Sequence, residues 1–144
     1  MKSLIKYLFE YLTIPSDATG FTIIKPGFIN YASEIHDYIK QKGFIMNDHT
    51  NPMRLSLKQA QELYLPHKNK DFYKDLCEYM TSNDIIAAVW VSDKDKHKGV
   101  NPIKLMEEIK DHFRDKYGKG EMENCMHSSD SLKNVQREAK ILIN

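Results

Sequence analysis

The stretch Ile85–Val91, IIAAVWV, constrains this chain more than any other part of it. It is continuous, apolar and rich in β-branched side chains, so it reads as a central strand covered on at least one face. The 144 residues are 41% hydrophobic and 28% charged, enough for one globular domain with a single core. Apolar residues are too frequent, and a formal net charge of +1 too small, for a disordered chain.

Other elements fall into order around that strand. Phe21–Lys25 reads as a strand ended by Pro26-Gly27. A helix over about 31–42 carries the stripe Tyr31, Ile35, Tyr38 and Ile39, and Gly43 suits its stop. A second strand starts at Phe44, and Asn51-Pro52 interrupts its course. Ser56 and Gln59 make a capping-box signature that opens a helix with Leu57, Ala60, Leu63 and Tyr64, ending near Pro66. A short helix over about 71–81 aligns Phe72, Leu76 and Met80. Beyond the central strand, residues 93–99 read as a solvated loop. Asn101 as N-cap and Pro102 at the first helical position open a helix to about 116, with Ile103, Met106, Ile109 and Phe113 buried. A short strand is expected around 122–126. A last helix opens near Asp130 or Ser131 and buries Leu132, Val135, Ala139 and Leu142.

The resulting order, β-α-β-α-α-β-α-β-α, predicts an α+β fold: a ferredoxin-like antiparallel sheet with helices packed on it. Residues 1–19 form an N-terminal helical extension with Leu4, Ile5, Leu8, Phe9 and Leu12, ended by a loop over 14–20, and residues 20–144 form the main domain. Tyr7, Glu10 and Tyr11 interrupt the apolar run and no small-residue cleavage site follows. The segment therefore reads as an amphipathic helix packed on the body, not as a signal peptide. No run is long enough to span a bilayer. Cys77 and Cys125 are far apart in sequence and match neither a disulfide framework nor a zinc pattern, as two reduced thiols in a cytoplasmic protein would be. The near-neutral charge gives no argument for nucleic acid or membrane as partner, so any anion site must be built locally. There is also no basic stripe and no aromatic strand of the kind that RNA-binding sheets use.

Four stretches carry a chemical signature: Phe21-Thr-Ile-Ile-Lys25-Pro-Gly27; Leu63-Tyr64 with Phe72 eight residues later; Ala87–Trp90; and Asn124-Cys-Met-His127-Ser-Ser-Asp130-Ser131. Their order and spacing over residues 20–144 resemble the nucleoside diphosphate kinase family, and the block around His127 is the most specific part. The resemblance implies a nucleotide-binding phosphotransferase of nucleotide metabolism. Its phosphate would pass through a phosphohistidine on His127, with ATP-type nucleoside triphosphates and nucleoside diphosphates as substrates. Magnesium would bridge the phosphates, and the protein would be a homo-oligomer, at least a dimer. Glu138, eleven residues on, matches the glutamate that bonds the histidine, and Lys25 and Arg114 match phosphate-binding cations. Tyr64 and Asn124 match positions near the phosphates and ribose, and Phe72 the platform for the base. No acidic cluster suggests a metal site built by protein alone.

The chemistry these residues offer is self-consistent. An imidazole can attack a terminal phosphorus and hold it covalently, splitting a two-substrate step into two. A carboxylate on the ring fixes its tautomer, and fixed cations balance the phosphate charge. The sequence also departs from the family pattern. The aspartate after Lys25-Pro26 is absent, Ser128 stands for a glycine, and Leu63 for a histidine. Val100-Asn101-Pro102 opens a helix where the family's Thr-Asn-Pro closes one. The second phosphate-binding arginine has no counterpart by spacing, and Lys96, Lys98 or Lys104 are the candidates to supply its charge. Without the resemblance, Asp130 and Ser129 fit helix caps, Phe72 fits a core position, and Glu138 and Arg114 fit surface charges. The remaining five histidines fit surface positions. Two functions of different class follow: an active kinase, or a module that keeps the fold and binds nucleotides or another protein with little or no turnover.

Overall fold

The computed structural model of the protein describes residues 13–142; the expected N-terminal helix falls in residues 1–12, outside them. Four strands, β1 (Gly20–Ile24), β2 (Phe44–His49), β3 (Ile86–Ser92) and β4 (Met126–Ser128), form one sheet in the order β2-β3-β1-β4. Every neighbouring pair is antiparallel. Among the described residues, five α-helices connect or follow them: α1 (Ala32–Gln41), α2 (Leu57–Leu63), α3 (Tyr73–Met80), α4 (Pro102–Tyr117) and α5 (Leu132–Ile141). The fold is the ferredoxin-like α+β architecture that the element order predicts.

The run at 85–91 becomes a strand buried on both faces. Alternate side chains of a strand point to opposite sides, and cross-strand partners share a side. Phe21, Ile23, Ala87 and Val89 thus pack one way, against Ala60 and Leu63 of α2, Leu76 and Met80 of α3, and Val135 and Ala139 of α5. Ile24, Ala88, Trp90 and Met126 pack the other way, against Ile35 and Ile39 of α1 and Met106, Ile109 and Phe113 of α4. Trp90 is fully buried and its indole N–H donates to Thr22 Oγ1 at 2.9 Å, which satisfies both buried polar groups.

Local chemistry fixes the boundaries. Ser56 accepts from the Gln59 amide and the Gln59 side chain accepts from the Ser56 amide, completing the capping box. Asn101 Oδ1 accepts from the amides of Ile103 and Lys104, and α4 runs unbroken for 16 residues from there. Gly43 ends α1 with φ +97°, and a Cβ there would lie 2.7 Å from His97 Nε2. Strand β2 carries an irregularity between Met46 and Asp48, and the chain returns to pair Met53 with Ile85 after Asn51-Pro52.

Four expectations are corrected. The last strand lies at Met126–Ser128, not around 122–126, because Cys125 takes a left-handed φ of 84° and no extended run can pass through it. Leu132 is 56% exposed: it shares the helical line of Val135 and Ala139, but the buried residues of α5 begin one turn later, with Val135, Glu138 and Ala139. Ile103 is only half-buried and packs on the opposite side of the sheet from its neighbours on α4. His97, in the loop expected to be solvated, is buried; it bonds Ser92 through Nδ1 and the Lys42 carbonyl through Nε2.

Ser56→Ala removes one half of a complete capping box and is expected to lower the unfolding free energy by about 1 kcal/mol in urea titration. Leu132→Ser, on an exposed position, is expected to change it by less than about 0.5 kcal/mol.

Candidate functional site

One cleft of about 610 Å³ opens at the β1–β4 side of the sheet, and Lys25, Tyr64, Phe72, Arg114, Asn124, His127 and Glu138 all line it. The residues singled out from sequence therefore converge, although they come from six separate segments. Lys25 follows the last residue of β1, Tyr64 ends α2, Phe72 precedes α3 and Arg114 sits in the last turn of α4. Asn124 lies in the loop before β4, and Glu138 is on α5.

His127 is the middle residue of β4 and pairs with Ile23. That register directs its ring to the side of the sheet on which α5 packs. Its Nε2 lies 2.6 Å from Glu138 Oε1. The same oxygen accepts from Ser129 Oγ at 2.7 Å, so Glu138 is the acceptor toward both, and the ring proton belongs on Nε2. Nδ1 is then the nitrogen with a free lone pair, and it has no hydrogen-bond partner among the described residues. Glu138 is 4% exposed, which excludes its reading as a surface charge. Tyr64 stands edge-on to the His127 ring with centroids 6.0 Å apart, and its buried hydroxyl has no partner among the described residues. Burial, and then the Glu138 charge, push its ionisation upward, so the phenol stays a hydrogen-bond donor.

The cations are held by protein acceptors that leave part of their donor capacity free. Lys25 is 4% exposed and its Nζ donates to Asn124 Oδ1 at 2.6 Å and to the Met122 carbonyl at 3.4 Å. Asn124 is itself fixed through Nδ2 on the Glu121 carbonyl. Burial, then the nearby charges of Arg114 and Lys110, bring the Lys25 pKa down to about 7. Arg114 donates its Nε to the Met126 carbonyl at 3.0 Å, which leaves the terminal amino groups of the fork. Arg114 is part-buried and not a freely solvated arginine. Phe72 is 44% exposed at the cleft, with its ring tilted against His67 at 5.6 Å, so it is not a core residue.

Among the described residues, the end of α5 near the cleft is capped by Ser131, whose side chain accepts from the Asn134 amide. Asp130 bonds the Asn134 side chain instead, and Ser129 serves Glu138. Cys125, just before β4, is a buried thiol pushed up to about 11 by burial. At φ 84° a non-glycine residue stores backbone strain beside the histidine.

The sequence model of the nucleoside diphosphate kinase family matches residues 18–144. The chain belongs to that family. A nucleoside diphosphate kinase of Persephonella marina is 31% identical over 128 residues, spanning 81% of this chain and 86% of that protein. Nucleoside diphosphate kinase homolog 5 of Homo sapiens is 27% identical over 130 residues, spanning 83% of this chain and 59% of that protein. Among solved structures, the Aquifex aeolicus nucleoside diphosphate kinase superposes with a TM-score of 0.68 at 26% identity, covering 85% of this chain and 92% of that one. A halophilic nucleoside diphosphate kinase from Halobacterium salinarum in complex with CDP gives a TM-score of 0.62 at 25% identity, with 77% and 76% covered.

The cleft is also lined by polar residues that the sequence does not single out, among them Lys110, His67, Arg137, Glu107 and Glu121. Lys96, Lys98 and Lys104 are not among the cleft residues, whereas Lys110 is. Lys110 lies four residues before Arg114, so helical spacing on α4 was the signal that could have found it.

The folded Lys25 pKa of about 7 lies below the ordinary 10.5. Between those values the unfolded chain holds more protons than the folded one, so this residue makes stability rise with pH across that window. Lys25→Met is therefore expected to be more stable than wild type at pH 6, with the difference shrinking as pH rises from 7 toward 10.5. Urea unfolding of both proteins across that range checks the sign.

Proposed function

We propose that this chain is a nucleoside diphosphate kinase, moving the γ-phosphate of a nucleoside triphosphate to a nucleoside diphosphate through a phosphohistidine on His127. One observation carries the reading: Glu138 holds Nε2 of His127, while Nδ1 is left without a partner in a cleft lined by Lys25, Lys110 and Arg114.

In the first half-reaction the Nδ1 lone pair attacks the γ-phosphorus. The N–P bond forms as the bond to the β-phosphate oxygen breaks, and the diphosphate leaves with that electron pair. The proton stays on Nε2, where Glu138 stabilises the cationic ring. In the second half, a β-phosphate oxygen of another diphosphate attacks the phosphohistidine and the electron pair returns to Nδ1. Lys25, protonated when phosphate charge enters beside it, and the terminal amino groups of Arg114 balance the charge on the transferring group. The free Tyr64 hydroxyl donates to a phosphate or ribose oxygen, and Asn124 keeps Lys25 in place. The exposed ring of Phe72 offers a stacking face that accepts any base.

Among the described residues no three acidic, histidine or cysteine side chains group to hold a metal. Magnesium fits this site as a companion of the nucleotide, with Glu107, Glu121 or Asp130 as the nearby carboxylates that line the cleft. When bound it would neutralise part of the phosphate charge. A homo-oligomeric state, a cytoplasmic setting and the division into an extension, 1–19, and a kinase domain, 20–144, belong to the same reading. The two free thiols suit a reducing compartment. No helix among the described residues is long and apolar enough to cross a membrane.

A second reading, a kinase-like module that binds nucleotide or protein without appreciable turnover, is favoured by one observation. Two arginines line the cleft, but Arg137 is engaged with protein acceptors through Nε and both terminal amino groups, which leaves Arg114 as the one open fork.

Incubation with γ-labelled ATP and magnesium is expected to leave acid-labile label on the protein, discharged by added nucleoside diphosphate. His127→Ala, with an unchanged circular dichroism spectrum, should carry none. Label on that variant would remove His127 as the nucleophile, and no label on folded wild type would favour the binding module. Arg114→Ala should weaken nucleotide binding roughly 10- to 100-fold, the loss of a charged hydrogen-bond donor. An unchanged Kd by calorimetry would take Arg114 out of the phosphate site.

A further inference from the structure

Arg137 hydrogen-bonds both the end of α2, which carries Tyr64, and Glu138, which holds His127. Its Nε donates to Asn134 Oδ1 at 3.0 Å, one helical turn back on α5. Its Nη1 donates to the Glu62 carbonyl at 3.0 Å and its Nη2 to the Leu63 carbonyl at 3.2 Å. These are the last two residues of α2, where helix geometry leaves carbonyls without intrahelical partners and concentrates partial negative charge. The same Nη2 lies 3.4 Å from Glu138 Oε2, the carboxylate oxygen that faces away from His127.

Two catalytic groups hang from those acceptors. Glu138 presents Oε1 to the histidine, and holding Oε2 fixes the rotation of the carboxylate about its own axis. Tyr64 directly follows Leu63, and its backbone is carried by the helix end that the guanidinium clamps. A planar fork with donors in fixed directions can meet acceptors on two elements at once, which a single ammonium cannot. The side chain is 33% exposed, so its heads are accessible to water if the protein acceptors are lost.

The geometry points to Arg137 as a positioning residue that sets the separation between the Glu138–His127 pair and Tyr64 by cross-tying α5 to the end of α2. Four of its five N–H donors are committed within the protein, which leaves no open fork to grip a phosphate. The inference rests on the kinase reading above. A misplacement of about 1 Å at a reacting centre costs on the order of 10²-fold in rate. Removal of the tie should therefore appear in the chemical step and not in nucleotide affinity.

The test compares wild type, Arg137→Met and Arg137→Lys in single-turnover phosphorylation by γ-labelled ATP, with rates normalised to the sites that finally take label. Nucleotide Kd is measured alongside, and the His127 ring tautomer is read by two-bond nitrogen–proton NMR. The methionine variant is expected to phosphorylate about 10²-fold more slowly, with Kd within twofold of wild type and a mixture of tautomers at His127. The lysine variant should fall between the two. If Arg137→Met does not fold, the lysine variant alone decides, because it keeps a cation but not the fork. Equal rates and one tautomer in the folded variants would overturn the positioning role while leaving the kinase reading intact. A loss of affinity with an unchanged rate would overturn it too, by making Arg137 a phosphate ligand. No label on wild type would instead end the kinase reading, and the positioning role with it.

Discussion

Burial of β1 and β3 on both faces is the constraint from which the rest of the structure follows. Phe21, Ile23 and Ile24 in one strand and Ala87 to Trp90 in the other have no exposed surface. Two such strands side by side demand a helical layer above and below. The pair α1 and α4 supplies one layer, and α2, α3 and α5 supply the other. Because β4 pairs with β1, the layer chosen by each residue of β4 is set by register alone. A slip of one residue would turn His127 toward α4 and Met126 toward α5, exchanging an apolar core residue for the histidine.

That scaffold lets like charges be assembled at a cost in stability. Lys25, Lys110 and Arg114 line one cleft, and the first and third are tied to carbonyl and amide oxygens, not to carboxylates. Neutral acceptors hold a cation in place without cancelling its charge. Carboxylate partners would have stabilised the empty protein more and left less field for an incoming anion. The one carboxylate buried at the site, Glu138, is committed to His127, Ser129 and Arg137. Opposite charges are therefore sorted within a few residues of each other: negative behind the ring, positive in front of it.

Much of this was legible in the residues because local signals agreed with tertiary ones. The reciprocal Ser56–Gln59 cap, the Asn101-Pro102 helix start and the β-branched run at 85–91 each specify an element by chemistry within a few residues. The cleft residues named from sequence converge because their spacing follows a family pattern. The failures arise where the deciding partner is distant in sequence. Cys125 reads as an ordinary strand residue, and only its left-handed backbone moves β4 two to four residues onward. His97 reads as a loop histidine in a lysine-rich segment, and its burial depends on a glycine at 43 that leaves room for the ring. Arg137 reads as one more charge on an amphipathic helix, since its acceptors at Glu62 and Leu63 lie some 75 positions earlier.

The unbroken run of α4 from Pro102 to Tyr117 also changes how the cleft meets a ligand. Lys110 and Arg114 ride on a single rod, one turn apart, so their origins are separated by about 6 Å along the axis whatever is bound. Cations on a mobile loop would close around an anion and lose chain entropy in doing so. Mounted on a helix, they act as a ruler: the phosphate chain must conform to the spacing of the protein, and the entropy of ordering that spacing has been met already in folding.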